Sequence, residues 1–179
     1  GMRERTITAF SFSKTYSMSG FRIGYMVANP AITDEMYNII RLQAQAVSSY
    51  GMIAATAVLR ADMSAWLADT VRELTEKRDY AVKRLNAMPG VTCGMPRGCY
   101  FILPNFSSYN VPSWRMARHF LEKGRVAVVA GNMFGPGGAY HLRISGCVGF
   151  DAIKEGLETL GFRVAAAFEL GQQQESDIQ

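Results

Sequence analysis

The first thirty residues contain two short apolar runs separated by a polar segment. Residues 6–10 are mainly β-branched and aromatic, and residues 22–28 include Ile23, Tyr25 and Val27, so each run predicts a strand. Residues 11–21 between them are rich in serine and contain glycine, which is typical of a loop. The pattern therefore predicts a strand, a loop and a second strand.

Helical periodicity replaces this pattern after residue 28. Asn29 and Pro30 predict a helix start, because asparagine caps helix N-termini and proline fits the first turn. Small residues near position 50 are expected to divide residues 31–60 into two helices. A long amphipathic helix is predicted over residues 64–88, with Pro89 following its end.

The remaining sequence mixes short apolar runs with helical stretches. Asp151 is predicted to cap the last helix, over residues 151–160, and Gly161 to close it. Residues 169–179 lack apolar anchors and predict a disordered tail. The other predicted elements are strands at 91–93, 99–103, 126–130 and 141–145, a helix at 112–122, and a glycine-rich loop at 131–138.

Composition excludes several classes of protein. The 179 residues are 49% apolar with a net charge of +4, which is too mild and too scattered for a nucleic-acid-binding protein. No apolar run of eighteen residues predicts a membrane span, and no signal peptide opens the chain. His119 and His141 lack partners at metal-ligand spacing, so no metal site is expected. The cysteines are Cys93, Cys99 and Cys147; without a CxxC pair they predict reduced, mostly buried thiols in a cytoplasmic protein.

The loop between the first two predicted strands concentrates the candidate chemistry. Residues 11–24 contain Lys14, Arg22, four serines and two glycines. Glycine and small hydroxyl residues let the backbone approach an anion, and arginine offers a planar charged fork suited to phosphate. A lysine amine can attack a carbonyl to form a Schiff base. A phosphate-binding loop with a reactive lysine indicates pyridoxal 5′-phosphate (PLP).

These residues also resemble the lysine signature of a known family. Ser-x-Ser-Lys followed by Gly-x-Arg-x-Gly, from Ser11 to Gly24, matches every position of the signature in class I/II aminotransferases, which are PLP enzymes of fold type I. The resemblance implies that Lys14 binds the cofactor covalently, and that Ser11 and Arg22 bind its phosphate. The alternative for this segment is a solvated basic loop.

The resemblance extends over residues 3–162. Residues 98–101 and 126–135 resemble two further family motifs, the second with Ala130 in place of a proline. Residues 141–145 resemble the strand whose arginine grips the substrate α-carboxylate, a role that falls on Arg143. Strand alternation independently places Leu142 and Ile144 on one face and Arg143 on the other. The alternative for Arg143 is an ordinary exposed strand residue.

The resemblance implies an α/β fold with two parts. Residues 1–62 would be a remnant of the large, cofactor-binding domain, and residues 63–168 the C-terminal small α/β domain. The family's cofactor-stacking aromatic residue and the aspartate on the ring nitrogen would lie upstream of Lys14, and the thirteen preceding residues contain no aspartate. The chain is therefore expected to be a C-terminal half, inactive alone, whose open strand edges pair in a homodimer or with a missing N-terminal half.

Two classes of function follow. The first is a PLP-dependent aminotransferase, which moves an amino group between an amino acid and a 2-oxo acid; a lyase of the same family is not excluded. The second is a non-catalytic domain that acts only in interactions, an alternative that the absent aspartate favours. The sequence does not select an amino acid substrate.

Overall fold

The computed structural model describes the backbone of residues 1–176 and the side chains of residues 1–164. The chain forms two compact units, Gly1–Thr70 and Val71–Gln179, and the mixed α/β fold class is confirmed. The elements are β1 (Thr8–Ser11), α1 (Phe12–Thr15), β2 (Gly24–Val27), α2 (Pro30–Ala44), α3 (Ser49–Arg60), α4 (Ser64–Asn86), β3 (Phe101–Ile102), α5 (Ser113–Gly124), β4 (Val129–Ala130), β5 (Leu142–Ser145) and α6 (Phe150–Ser176).

The helix boundaries of the first unit follow its capping residues. Asn29 Oδ1 accepts a hydrogen bond of 2.9 Å from the Ala31 N–H, which satisfies one of the free donors at the start of α2. Ser48 Oγ does the same for the Gly51 N–H at the start of α3, at 3.4 Å. The predicted helix start at Asn29 and the predicted division near residue 50 are both confirmed.

The first unit buries little apolar surface. β1 and β2 form an antiparallel ribbon in which Thr8 lies opposite Val27, and no third strand joins them among the residues that the structure describes. The buried cluster of this unit consists of Phe12, Met18, Ile23 and Ala55. The unit therefore has a small core beside a ribbon with open edges.

The second unit contains the larger core. β3, β5 and β4 form an antiparallel sheet in that order, with β5 in the centre. α4, α5 and α6 all contribute side chains to the cluster that includes the inward face of this sheet. The large side chains that are almost fully buried include Leu85, Phe106, Met116, Phe120, Leu142, Leu157 and Leu160.

The strands of the second unit are shorter than predicted. Of residues 126–130, only Val129 and Ala130 pair as a strand. The Val126 N–H bonds instead to the Phe120 carbonyl, at 3.1 Å, and Arg125 adopts a left-handed backbone with φ +54°. This six-to-one bond closes the C-terminus of α5. Arg125 and Val126 therefore cap the helix, and the strand begins only at Val129.

The last helix does not end at Gly161 as predicted. α6 continues to Ser176, because the apolar stripe runs past the glycine and Val164 is buried in the core. Residues 169–176 of the predicted disordered tail are part of this helix. Residues 177–179 of that prediction lie outside the described residues.

The cysteine prediction is wrong for two of the three thiols. Cys93 is buried, and burial raises its pKa. Cys99 and Cys147 are free and exposed. Cys99 precedes β3 and Cys147 follows β5, so both lie outside the paired strand residues that contribute to the core. Within the described residues, no helix has the length and apolar character needed to cross a membrane, and no cluster of three potential metal ligands occurs.

His119 on α5 is expected to make the stability of the chain depend on pH. Burial lowers its pKa from the ordinary value of 6.5, aided by Arg163 and Lys123, while the nearby Glu122 opposes the shift. The unfolded chain therefore binds the proton more readily than the folded chain, and the free energy of unfolding should fall as pH drops below about 6.5. Urea unfolding at pH 7.5 and 5.5 measures this loss. His119→Gln should show a smaller loss; an equal loss in both proteins would assign the pH dependence to other groups.

Candidate cofactor and carboxylate sites

The predicted cofactor segment lies between β1 and β2. Ser11 ends β1, and its Oγ accepts a 3.2 Å hydrogen bond from the Ser13 N–H. This bond caps α1, the single helical turn that carries Lys14. The sequence predicted a loop here, whereas the structure has this turn followed by a 3₁₀ turn at Ser19–Phe21. The lysine therefore belongs to an ordered turn that starts at the serine.

Apolar residues anchor the segment from below. Phe12, Met18 and Ile23 are buried, and the Phe12 N–H donates to the Ile23 carbonyl at 3.3 Å. The Phe12 carbonyl in turn accepts from the Tyr16 and Met18 N–H groups, at 3.2 and 3.4 Å. Lys14 and Arg22 are exposed, so the buried residues fix the segment while its charged residues face solvent.

The second half of the motif has a demanding backbone. A Cβ atom on Gly24 would clash with the Phe10 carbonyl oxygen, so β1 and β2 can pair here only because residue 24 is glycine. Arg22 has φ +50°, a left-handed conformation that costs an ordinary residue about 1–2 kcal/mol. Its Nη1 donates to the Ser19 carbonyl at 2.8 Å. Backbone strain of this kind is concentrated at functional sites.

The donor set of this segment fits PLP. Ser11 lies opposite Gly24 in the ribbon, which places it and Arg22 at the same end of the two strands. The segment from Ser11 to Gly24 contains no acidic residue that would repel a phosphate. A guanidinium, serine hydroxyls and a lysine amine are the groups that a phosphate and a neighbouring aldehyde require.

Arg143 lies on β5 in the second unit, opposite Val129 of β4. Leu142 is 1% exposed and Ile144 packs against the core, which confirms the predicted alternation and puts Arg143 on the outer face. Its guanidinium carbon lies 4.2 Å from the centre of the Phe101 ring and 5.0 Å from that of Phe134. Within the described part of the chain, Arg143 belongs to none of the ion pairs.

The sequence did not indicate the two aromatic neighbours of Arg143. Phe101 lies on β3 opposite Ser145, and Phe134 ends the 3₁₀ turn Gly131–Phe134 after β4. Both residues belong to recognised motifs, but only the strand register and the path of the glycine-rich segment bring them to Arg143. Ser11, Lys14 and Arg22 share one segment of the first unit, and Arg143 belongs to the second.

Comparison with known proteins identifies the family. The family model described as aminotransferase class I and II matches residues 2–160. The chain belongs to the class I and II aminotransferases. The family explains why the lysine signature and the later motifs occur in this order, and membership confirms the resemblance seen in the sequence.

Individual aminotransferases match most of the chain. The aspartate aminotransferase of Pyrococcus horikoshii is 38% identical over 79% of this chain and 37% of its own length. Aromatic-amino-acid aminotransferase 2 of Thermococcus litoralis is 31% identical over 89% of this chain and 41% of its own. The crystal structure of an aromatic aminotransferase from Pyrococcus horikoshii superposes with a TM-score of 0.87 at 30% identity, covering 93% of this chain and 44% of the other.

These comparisons confirm the fold and show how much of the relatives' length the chain spans. The solved relatives are fold type I aminotransferases, in agreement with the predicted fold, and the family is PLP-dependent. The chain spans about two fifths of the length of the relatives that it matches. The roles of Ser11, Lys14, Arg22 and Arg143 stay predictions, and the substrates named for the relatives belong to those proteins.

Proposed function

We propose that this chain carries the lysine-bearing and carboxylate-binding part of a PLP-dependent aminotransferase. The reaction would move an amino group between an amino acid and a 2-oxo acid. The observation that carries the proposal is the position of Lys14, on one helical turn that Ser11 caps and within a segment that also holds Arg22. Family membership supports the same assignment.

Each proposed residue has a distinct task. The Ser11 hydroxyl and the Arg22 guanidinium hold the cofactor phosphate by charge-assisted hydrogen bonds. Lys14 Nζ would hold the cofactor through its aldehyde carbon, and would take and return the proton of the substrate Cα. When bound, PLP supplies an electron-accepting ring that stabilises negative charge at this carbon. Arg143 binds the substrate α-carboxylate with its planar fork.

Association with further polypeptide is part of the proposal. Apolar side chains of α2 and α3 are unusually exposed: Leu42 is 88% exposed, Tyr50 81% and Ile53 68%. Exposed apolar surface of this kind is typical of interaction sites, which supports a homodimer or a complex with the remainder of an aminotransferase. A cytoplasmic location is supported by the three free thiols.

Cofactor binding tests the proposal without requiring turnover. The purified chain is titrated with PLP and with pyridoxal, which lacks the phosphate, and each sample is reduced with borohydride. Peptide mass spectrometry then locates the label among the five lysines of the chain. The expected result is labelling concentrated on Lys14 with PLP and weaker labelling with pyridoxal. Equal labelling of the five lysines by both aldehydes would contradict a built phosphate site.

Arg22→Ala should weaken PLP binding and leave pyridoxal labelling unchanged. A hydrogen bond to a charged group typically contributes about 1.5–3 kcal/mol, so the dissociation constant should rise by about 10-fold or more. Titration of the parent chain and of the variant with PLP, followed by absorbance, measures this change. Arg60→Ala removes an exposed arginine of α3 and serves as the matched control, for which no change is expected. An equal loss in both variants would indicate a general effect of charge.

A further inference from the structure

We propose that Phe101 and Phe134 are positioning residues that hold the Arg143 guanidinium between them and leave its N–H edges free for a carboxylate. The proposal deepens the proposed function and rests on it, because it assigns to Arg143 the substrate carboxylate. It also gives a task to two sequence motifs that the cofactor segment does not use.

The distances place both rings in contact with the cation. The guanidinium carbon of Arg143 lies over the Phe101 ring at 4.2 Å and over the Phe134 ring at 5.0 Å from the two centres. Both distances are inside the limit of about 6 Å for cation–π attraction. The aromatic faces attract the positive charge, so they stabilise a guanidinium that has no ion pair among the described side chains.

The sheet order explains how two rings reach one arginine. β3 and β4 pair with opposite edges of β5, so the two rings that contact Arg143 belong to segments on either side of its strand: Phe101 lies on β3, and Phe134 ends the turn that follows β4. A guanidinium has two flat faces and an edge that carries its five N–H donors. In the proposed arrangement the rings contact the flat faces and leave the edge accessible, where a planar carboxylate would bind through two parallel hydrogen bonds.

The glycine-rich segment fixes the position of Phe134. A Cβ atom on Gly131 would lie 2.5 Å from the Gly138 and His141 carbonyl oxygens, and the Gly131 N–H donates to that His141 oxygen at 2.8 Å. The next residue, Asn132, donates its N–H to the buried hydroxyl of Ser113 at 3.2 Å. The turn that carries Phe134 is therefore bonded on one side to the residue before β5 and on the other to α5.

The exposure of Phe134 supports a role beyond packing. Its side chain is 57% exposed, so it contributes little to the core and its removal should not unfold the second unit. Phe101 is less exposed, and its ring packs edge-on against Tyr100 with the centres 4.5 Å apart. Contact with Arg143, the residue predicted to bind the carboxylate, therefore explains the position of this exposed ring better than a contribution to folding stability does.

The test follows the Arg143 side chain directly by NMR. The full chain is labelled with ¹⁵N-arginine, the Arg143 Nε–H signal is assigned with Arg143→Lys, and maleate is added as the carboxylate probe. Saturable movement of this signal is expected. Phe101→Leu and Phe134→Leu should each raise the dissociation constant about 2- to 5-fold, and faster rotation of the guanidinium should accompany the weaker binding.

Controls separate positioning from folding. Phe134→Tyr keeps an aromatic face and should restore parental binding. Phe162→Leu removes a phenylalanine that is 85% exposed on α6 and should change nothing. Equal maleate affinity in the parent and in both leucine variants would overturn the positioning proposal and leave the proposed function intact. No movement of the Arg143 signal in the parent chain would overturn both, and loss of binding in Phe134→Tyr would overturn the requirement for an aromatic face.

Discussion

A chain with Lys14→Ala is expected to lose the borohydride-stable attachment of PLP at this site completely. Only a primary amine can form the reducible bond to the cofactor aldehyde, and Lys14 supplies the one amine in the segment from Ser11 to Gly24. Ser11 and Arg22 remain, so the variant should still bind the phosphate group weakly. Mass spectrometry of the reduced chain measures the covalent attachment. Competition between PLP and inorganic phosphate measures the weak, non-covalent binding of PLP to the variant.

Lys83→Ala is the matched control for this prediction. Lys83 is exposed on α4, and its removal lowers the number of lysines by one without touching the cofactor segment. The control should keep the parental stoichiometry of labelling. A Lys14→Ala chain that retained one reducible PLP per chain would remove Lys14 from its assigned role.

The purified 179-residue chain is expected to transaminate far more slowly than a full-length aminotransferase. The family resemblance places a cofactor-stacking aromatic residue and a ring-nitrogen aspartate upstream of the lysine, and the thirteen residues before Lys14 contain no aspartate. Loss of one key electrostatic group commonly reduces the rate by about 10²–10³. Without the aspartate, and without the stacking ring where the resemblance places it, the rate should approach that of free PLP.

Formation of 2-oxo acid from an amino acid donor, with PLP present and no other protein, measures this rate. The comparison is a full-length aminotransferase at the same active-site concentration, with free PLP as the baseline. A rate within tenfold of the full-length enzyme would contradict the prediction. It would show that this chain supplies, from its own residues, the groups that the resemblance assigns to upstream sequence.

The sequence predicted those elements that local chemistry determines. Asn29 and Ser48 cap helices with their own side chains, so the helix starts could be read from residue type alone. The prediction failed where the outcome depends on distant partners. Residues 126–128 have the composition of a strand, but the Val126 N–H bonds to a carbonyl at the end of α5. The helix α6 continues beyond Gly161 because Val164 is buried in the core.

The candidate sites show the same distinction. The Ser11–Gly24 motif could be recognised because its residues are adjacent in sequence, whereas the helical turn under Lys14 depends on Phe12 being buried. Arg143 could be placed on the outer face of a strand from alternation. Its contacts with Phe101 and Phe134 require the register of β3 with β5 and the path of a loop, which period-two patterning does not specify.

Because the two units have cores of different size, the two predicted sites should differ in their resistance to proteolysis. In the first unit, the described cluster consists of four residues around Phe12, while the second unit buries side chains from three helices and a sheet. Segments with few buried contacts open most often, and transient opening is what exposes a backbone to proteases. During breakdown of the polypeptide, the lysine segment would therefore be cut first, and the surviving remnant would retain Arg143.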